Sequence, residues 1–169
     1  AYLLGAKTEF WRAHRHYAGI IHFVFLTCSY PGVYTADHFS DVTRLELDPA
    51  FADYLGEAFK PLGVYINFFQ PKLAAGISRN FKVMLVNDES RPTSGTLVVS
   101  LKTEQGTELA RADRPFEVQA LGDASYDVPL TVPATASGRC VLQAVATAPR
   151  SKADPTLSRR WVTVEGKAK

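Results

Sequence analysis

Residues able to do chemistry crowd into one stretch, TCSYPGVYTADHFSD, residues 27–41. Cys28, Ser29, Tyr30, Tyr34, Asp37, His38, Phe39 and Asp41 all fall within it, and His22 lies just before it. Asp37, His38 and Asp41 together resemble a metal cluster, but they lack soft ligands and any recognised metal spacing. No metal and no other cofactor is expected. Cys28 beside His22 or His38 would be a thiol nucleophile. It follows an apolar run, however, and a buried thiol is commonly inert. Ser29 has no G-x-S-x-G setting. The chain carries no phosphate loop and no HExxH. What remains is a set of aromatic faces, carboxylates and an imidazole on a polar loop. These residues either line a pocket or pack and cap the loop itself.

The elements that must position this loop are readable on both sides. Upstream, AYLLGAKTEFWRAHRHYAG reads as a helix ended by Gly19. Leu3, Ala6, Phe10, Ala13 and Tyr17 recur at three- and four-residue steps, and Leu4 and Trp11 widen the stripe. Lys7, Glu9, Arg12 and Arg15 fall mostly elsewhere around it. A strand follows from Ile20 to about Leu26, almost wholly apolar and without alternation. That pattern belongs to a strand covered on both faces. His22, inside it, reads as a satisfied core histidine. Downstream, Asp48 is an N-cap with Pro49 at the first helical position, and the helix PAFADYLGEAF runs to Phe59.

From Val64 the pattern changes to β. VYINFF, NFKVMLVND, GTLVVSLK, ELARADRPFEVQ, SYDVPLTVP, GRCVLQAVAT and SRRWVTVE are seven short strand candidates separated by turn residues. Leu97/Val99/Leu101, Tyr126/Val128/Leu130 and Phe81/Val83/Leu85 alternate, so each set belongs to one sheet face. The fold class is therefore mainly β: a seven-stranded immunoglobulin-like or fibronectin-like β-sandwich over 63–169. A helix-strand-loop-helix segment over 1–62 precedes it. Trp161 and Tyr126 alternate with apolar residues and default to core.

Composition excludes several classes. Of 169 residues, 46% are hydrophobic and 21% charged, as in ordinary globular proteins. A net charge of +2 does not argue for nucleic acid or an acidic membrane. Arg159-Arg160 and Lys167/Lys169 read as solvated surface. Two cysteines, Cys28 and Cys140, make no disulfide framework. No segment reaches the roughly 18 apolar residues of a membrane-spanning helix. The sequence starts at Ala1, inside a helical pattern, which suggests a cut piece.

One α/β unit cannot make a parallel sheet. Leaving Ile20, Ile21, Phe23, Phe25 and Leu26 exposed would forfeit on the order of 10 kcal/mol, at roughly 1.5–3 kcal/mol per large apolar side chain. That equals the stability of a typical domain, about 5–15 kcal/mol. Either the strand joins the sandwich, or its partners lie upstream of Ala1, which the pattern favours.

The order of elements, with FWRAHRHYAGIIHFVF, YTADHFSDV and PLGVYINFFQPKLAAGISRNFKVMLVND, resembles the C-terminal part of glycoside hydrolase family 2-like proteins, the β-galactosidase and β-glucuronidase relatives. The resemblance implies that Ile20–Leu26 is the last strand of a (β/α)8 barrel and that 1–62 is the barrel's terminal piece. It implies a parent that is a retaining β-glycoside hydrolase, whose two carboxylates stand about 5–5.5 Å apart. Both would lie upstream, so no catalytic residue is assigned and the chain alone should hydrolyse nothing. Barrel active sites sit in the loops after the strands. The resemblance thus makes Tyr30, Tyr34, Asp37, His38, Phe39 and Asp41 candidates to line a sugar pocket, with the missing barrel or a second copy covering Ile20–Leu26. A secreted or periplasmic parent fits this reading. The rivals are a self-contained glycan-binding module, marked by aromatics in a row on a sheet face, and a protein-interaction sandwich, marked by an apolar patch.

Overall fold

The computed structural model describes residues 1–16, 20, 38–41, 43–149 and 155–166. The expected strand at 20–26 therefore lies, apart from Ile20, outside the described residues, as do Cys28, Ser29, Tyr30, Tyr34 and Asp37. In chain order the elements are α1 (Tyr2–Ala13), β1 (Phe39–Asp41), β2 (Glu46–Leu47), α2 (Pro49–Ala58), β3 (Leu62–Ile66), β4 (Lys72–Ala74), β5 (Ser78–Asn87), β6 (Thr93–Thr103), β7 (Glu108–Val118), β8 (Asp123–Thr131), β9 (Gly138–Thr147) and β10 (Thr156–Glu165).

All seven expected strands form, as β3 and β5–β10. They build two sheets, β3-β5-β8 and β4-β10-β9-β6-β7. The pairings are antiparallel except for β4, which runs parallel to β10. The alternating side chains read from sequence fill the space between the sheets. Phe81, Val83 and Leu85 meet Leu97, Val99, Leu101, Leu142, Val128 and Leu130 in one buried cluster. Tyr126 is half-buried at its margin, and its hydroxyl donates to the Glu117 carbonyl at 2.7 Å. Cys140 is a free, buried thiol of this core, and burial pushes its pKa up.

β3 departs from alternation because both of its faces are covered. Leu62, Val64 and Ile66 point into the sandwich, whereas Tyr65 packs outward with Val86 against Ala13 of α1. All five residues of β3 are buried. β4 and the β1–β2 hairpin are too short to leave a pattern, and the polar loop expected over 29–48 contains that hairpin.

The N-terminal helix differs from expectation in its end and its buried face. α1 ends at Ala13, where the His14 N–H is shared between the Phe10 and Trp11 carbonyls. The buried side chains are Ala6, Thr8, Glu9 and Ala13, while Leu3 is 78% and Trp11 43% exposed. Small residues win this face because α1 approaches its neighbours closely. A Cβ on Gly5 would stand 3.1 Å from the Tyr54 backbone oxygen of α2. α2 forms as read, with Asp48 Oδ1 accepting the Phe51 N–H at 2.9 Å and Pro49 opening the helix. Both helices lie beside β3 and β10, the strands at which the two sheets approach each other.

Candidate functional site

The densest buried polar chemistry sits where α1 meets that junction. β10 alternates Thr156, Ser158, Arg160, Val162 and Val164 on its buried side. The last two join the hydrophobic cluster, and the polar ones continue its face toward α1. Arg160 is 2% exposed and Glu9 8%. The expectation that Arg159-Arg160 is solvated surface is thereby overturned for Arg160. Alternation drives Arg160 inward, and Glu9 supplies the countercharge that a buried guanidinium requires.

The geometry is a set of shared hydrogen bonds that leaves the buried Arg160 Nε of this cluster without a partner. Glu9 Oε2 accepts from Ser158 Oγ at 2.7 Å and from Arg160 Nη2 at 2.8 Å. Arg160 Nη2 also donates to the Ile66 carbonyl at 3.0 Å, and Nη1 to the Arg159 carbonyl at 2.7 Å. Ser158 Oγ accepts the Ile66 N–H at 3.2 Å. The guanidinium lies 4.9 Å from the Phe69 ring centroid and 5.6 Å from that of Tyr65. Burial raises the Glu9 pKa above the usual carboxylate value, against the opposing pull of Arg160, Ser158 and Arg159. Burial likewise raises the Tyr65 phenol.

A carboxyl with a raised pKa is the property of a general acid, but this one has no room for a substrate. The cavity beside it, lined by Glu9, Arg12, Ala58, Gly63, Val64, Tyr65 and Val86, measures about 10 Å³. That is the space of one water molecule. The cluster ties elements together instead.

Further polar contacts surround it. Arg12 reaches the Ala58 carbonyl and Asp88 Oδ2, the latter at 2.6 Å, and Arg15 bonds Asp88 and the Leu121 carbonyl. Glu57 accepts the Leu157 N–H at 2.9 Å, and Asp53 pairs with Arg159 at 2.8 Å. Glu9, Ser158 and Arg160 escaped the reading of the sequence. The available signal was positional: Glu9 stands three residues after Ala6 and four before Ala13, on the face those alanines bury.

Of the expected loop residues, His38, Phe39 and Asp41 are described. His38 stacks on Phe51 with ring centroids 4.0 Å apart, and its carbonyl accepts the Asp48 N–H at 2.8 Å. Phe39 pairs with Leu47 across the hairpin. Asp41 Oδ1 accepts the Arg44 N–H at 3.0 Å. The structure thus gathers these three at the hairpin before α2. Elsewhere an open depression of about 370 Å³ is lined by Phe59, Pro61, Asp88, Glu89, Ser90 and Arg91. Trp161 is half-buried on the outer side of β10, with Arg139 4.6 Å from its ring centroid and Tyr54 Oη 3.3 Å from Nε1. Among the described residues, no three His, Cys, Asp or Glu side chains gather as a metal site. No helix there is long and apolar enough to cross a membrane.

No protein-family model matches the chain, and no curated protein matches it. Solved structures similar to it include a β-glucosidase from Listeria innocua in complex with glucose, 15% identical with a TM-score of 0.46. The complex of a Listeria innocua β-glucosidase with isofagomine is 14% identical, with a TM-score of 0.47. Each match covers 66% of this chain and 17% of the β-glucosidase. A structure of AvmM, described as catalysing macrocyclization in alchivemycin A biosynthesis, is 9% identical over 65% of this chain and 92% of that one, with a TM-score of 0.46. The chain thus spans about a sixth of the β-glucosidase chains it matches. At this level of similarity none of them assigns an activity.

Proposed function

We propose that this chain is a supporting C-terminal portion of a retaining β-glycoside hydrolase related to family 2. Its immunoglobulin-like sandwich braces the end of a catalytic barrel, and the paired catalytic carboxylates belong to the rest of the parent. The loop carrying Tyr30, Tyr34, Asp37, His38, Phe39 and Asp41 contributes one wall of the sugar pocket. The observation that carries the supporting role is the Glu9–Ser158–Arg160 joint. It fixes a helix to both sheets through buried, charge-assisted hydrogen bonds, which suits a permanent brace better than a surface that binds and releases a ligand. The phrases from FWRAHRHYAG to KVMLVND carry the glycoside hydrolase part of the reading.

The test is hydrolysis of chromogenic β-glycosides by the gene product at its native length and by this chain alone. The proposal expects turnover, with retention at the anomeric carbon, by the former and none by the latter. Turnover by this 18.6 kDa chain alone, or none by the native-length product on any β-glycoside, would overturn it.

A further inference from the structure

β3 stands at the margin of its sheet and pairs with β5 alone. The Asp88 N–H donates to the Pro61 carbonyl at 3.0 Å, and the Asn67 N–H donates to the Lys82 carbonyl at 2.9 Å. By ladder alternation Gly63 and Tyr65 exchange hydrogen bonds with β5, and Leu62, Val64 and Ile66 turn their N–H and C=O groups the other way. At Ile66 both groups are met, the N–H by Ser158 Oγ and the carbonyl by Arg160 Nη2. At Val64, which is 4% exposed, neither is met by a described residue. A buried N–H without a partner is rare, because it forfeits the hydrogen bond it makes to water in the unfolded chain.

Glu9 is unequally engaged. Both of its hydrogen bonds fall on Oε2. Oε1, on the same buried side chain, takes none from a described residue.

These unmet groups belong to residues that border one space. Glu9 and Val64 both line the cavity of about 10 Å³ where α1 and α2 meet β3. The Val64 side chain belongs to the sandwich core, so this residue meets the cavity with its backbone. Arg12 lines it too, with its guanidinium close over Gly63: a Cβ there would stand 3.1 Å from Nη1. The volume admits one water, and a buried water needs about two to four polar partners.

We propose that this cavity is a binding site for a single structural water, which accepts the Val64 N–H and donates to Glu9 Oε1. Water fits better than an ion of either sign, because Arg12 and Glu9 place opposite charges on the cavity wall. A bridging water is nearly as good as a direct hydrogen bond. It carries the link between α1 and β3 from Ile66 back to Val64.

The test is a crystal structure of this chain that shows ordered water, together with water–amide NOE and ROE spectra of the parent, Gly63→Ala and Tyr65→Phe. In the parent, one oxygen should lie within about 2.7–3.2 Å of both Glu9 Oε1 and Val64 N. The Val64 amide should show a water cross-peak with the opposite NOE and ROE signs of a bound molecule. Gly63→Ala adds a methyl group to the cavity wall and should abolish that cross-peak. Tyr65→Phe removes the one hydroxyl among the lining residues and should leave it in place. A parent cavity without an ordered oxygen, an oxygen that reaches only one of the two groups, or Glu9 Oε1 bonded directly to Arg12 would overturn the proposal. So would a cross-peak retained in Gly63→Ala, which would place the water outside this cavity. A cross-peak lost in Tyr65→Phe would trace it to the phenol proton and overturn the proposal as well.

Discussion

At the residue scale, the main tension lies between Glu9 and its surroundings. Removing a carboxylate from water is costly, and its attraction to Arg160 returns only part of that cost. The raised Glu9 pKa expresses this balance. The folded state therefore binds the Glu9 proton more tightly than the unfolded chain does. The stability contributed by this group is full below its ordinary value near 4.5 and is lost as pH rises through the raised folded value. Two substitutions separate the contributions. Glu9→Gln retains an acceptor without the charge and should alter stability by no more than about 1 kcal/mol at neutral pH, while removing this pH dependence. Arg160→Met strands a buried carboxylate and should cost about 3–5 kcal/mol at neutral pH. That cost should shrink as acid protonates Glu9. Urea unfolding of both variants from pH 4 to pH 8 checks the pattern, and a cost for Arg160→Met independent of pH would refute the assignment.

At the scale of elements, legibility followed periodicity. Strands with one face in the core, such as β5, β6 and β8, announced themselves by alternation. α2 announced itself by Asp48 and Pro49, and the cap is present. Asp48→Ala should lower stability by about 1 kcal/mol, as loss of an N-cap does. A thermal melt checks this, and an unchanged midpoint would mean that the cap contributes nothing. α1 misled in its buried face because its partners are another helix and a polar junction. Close packing at Gly5 and pairing at Glu9 bury residues that the hydrophobic periodicity left outside the apolar stripe. Of the apolar stripe read there, Ala6 and Ala13 are buried, whereas the bulky Leu3 and Trp11 lie at the surface. Arg160 shows the converse. A strand's alternation dictates which way a side chain points whatever its polarity, so the arginine next to an exposed-looking neighbour is buried.

At the scale of the whole molecule, the sandwich class was visible in the sequence because seven turn-punctuated strands have few other ways to bury their faces. The relation between helices and sandwich was not visible. It depends on contacts between residues some 150 positions apart, such as Glu9 with Arg160, and no local pattern encodes such a pairing. The loop proposed to face the sugar was legible only as a concentration of residue types. Its described part shows His38 packed on Phe51 and Asp41 engaged by its own turn. The central claim is that the helices and the sandwich are one braced unit. The chain supplies its own probes, because its two tryptophans, Trp11 on α1 and Trp161 on β10, stand on opposite sides of the joint. The decisive measurement is urea unfolding followed by fluorescence in the single-tryptophan variants Trp11→Phe and Trp161→Phe, each checked against circular dichroism. A braced unit predicts that each tryptophan's transition coincides with the loss of β structure in the same variant. A Trp11 transition at clearly lower urea, with the sandwich still folded, would show a helix merely resting on the sandwich and would contradict the account.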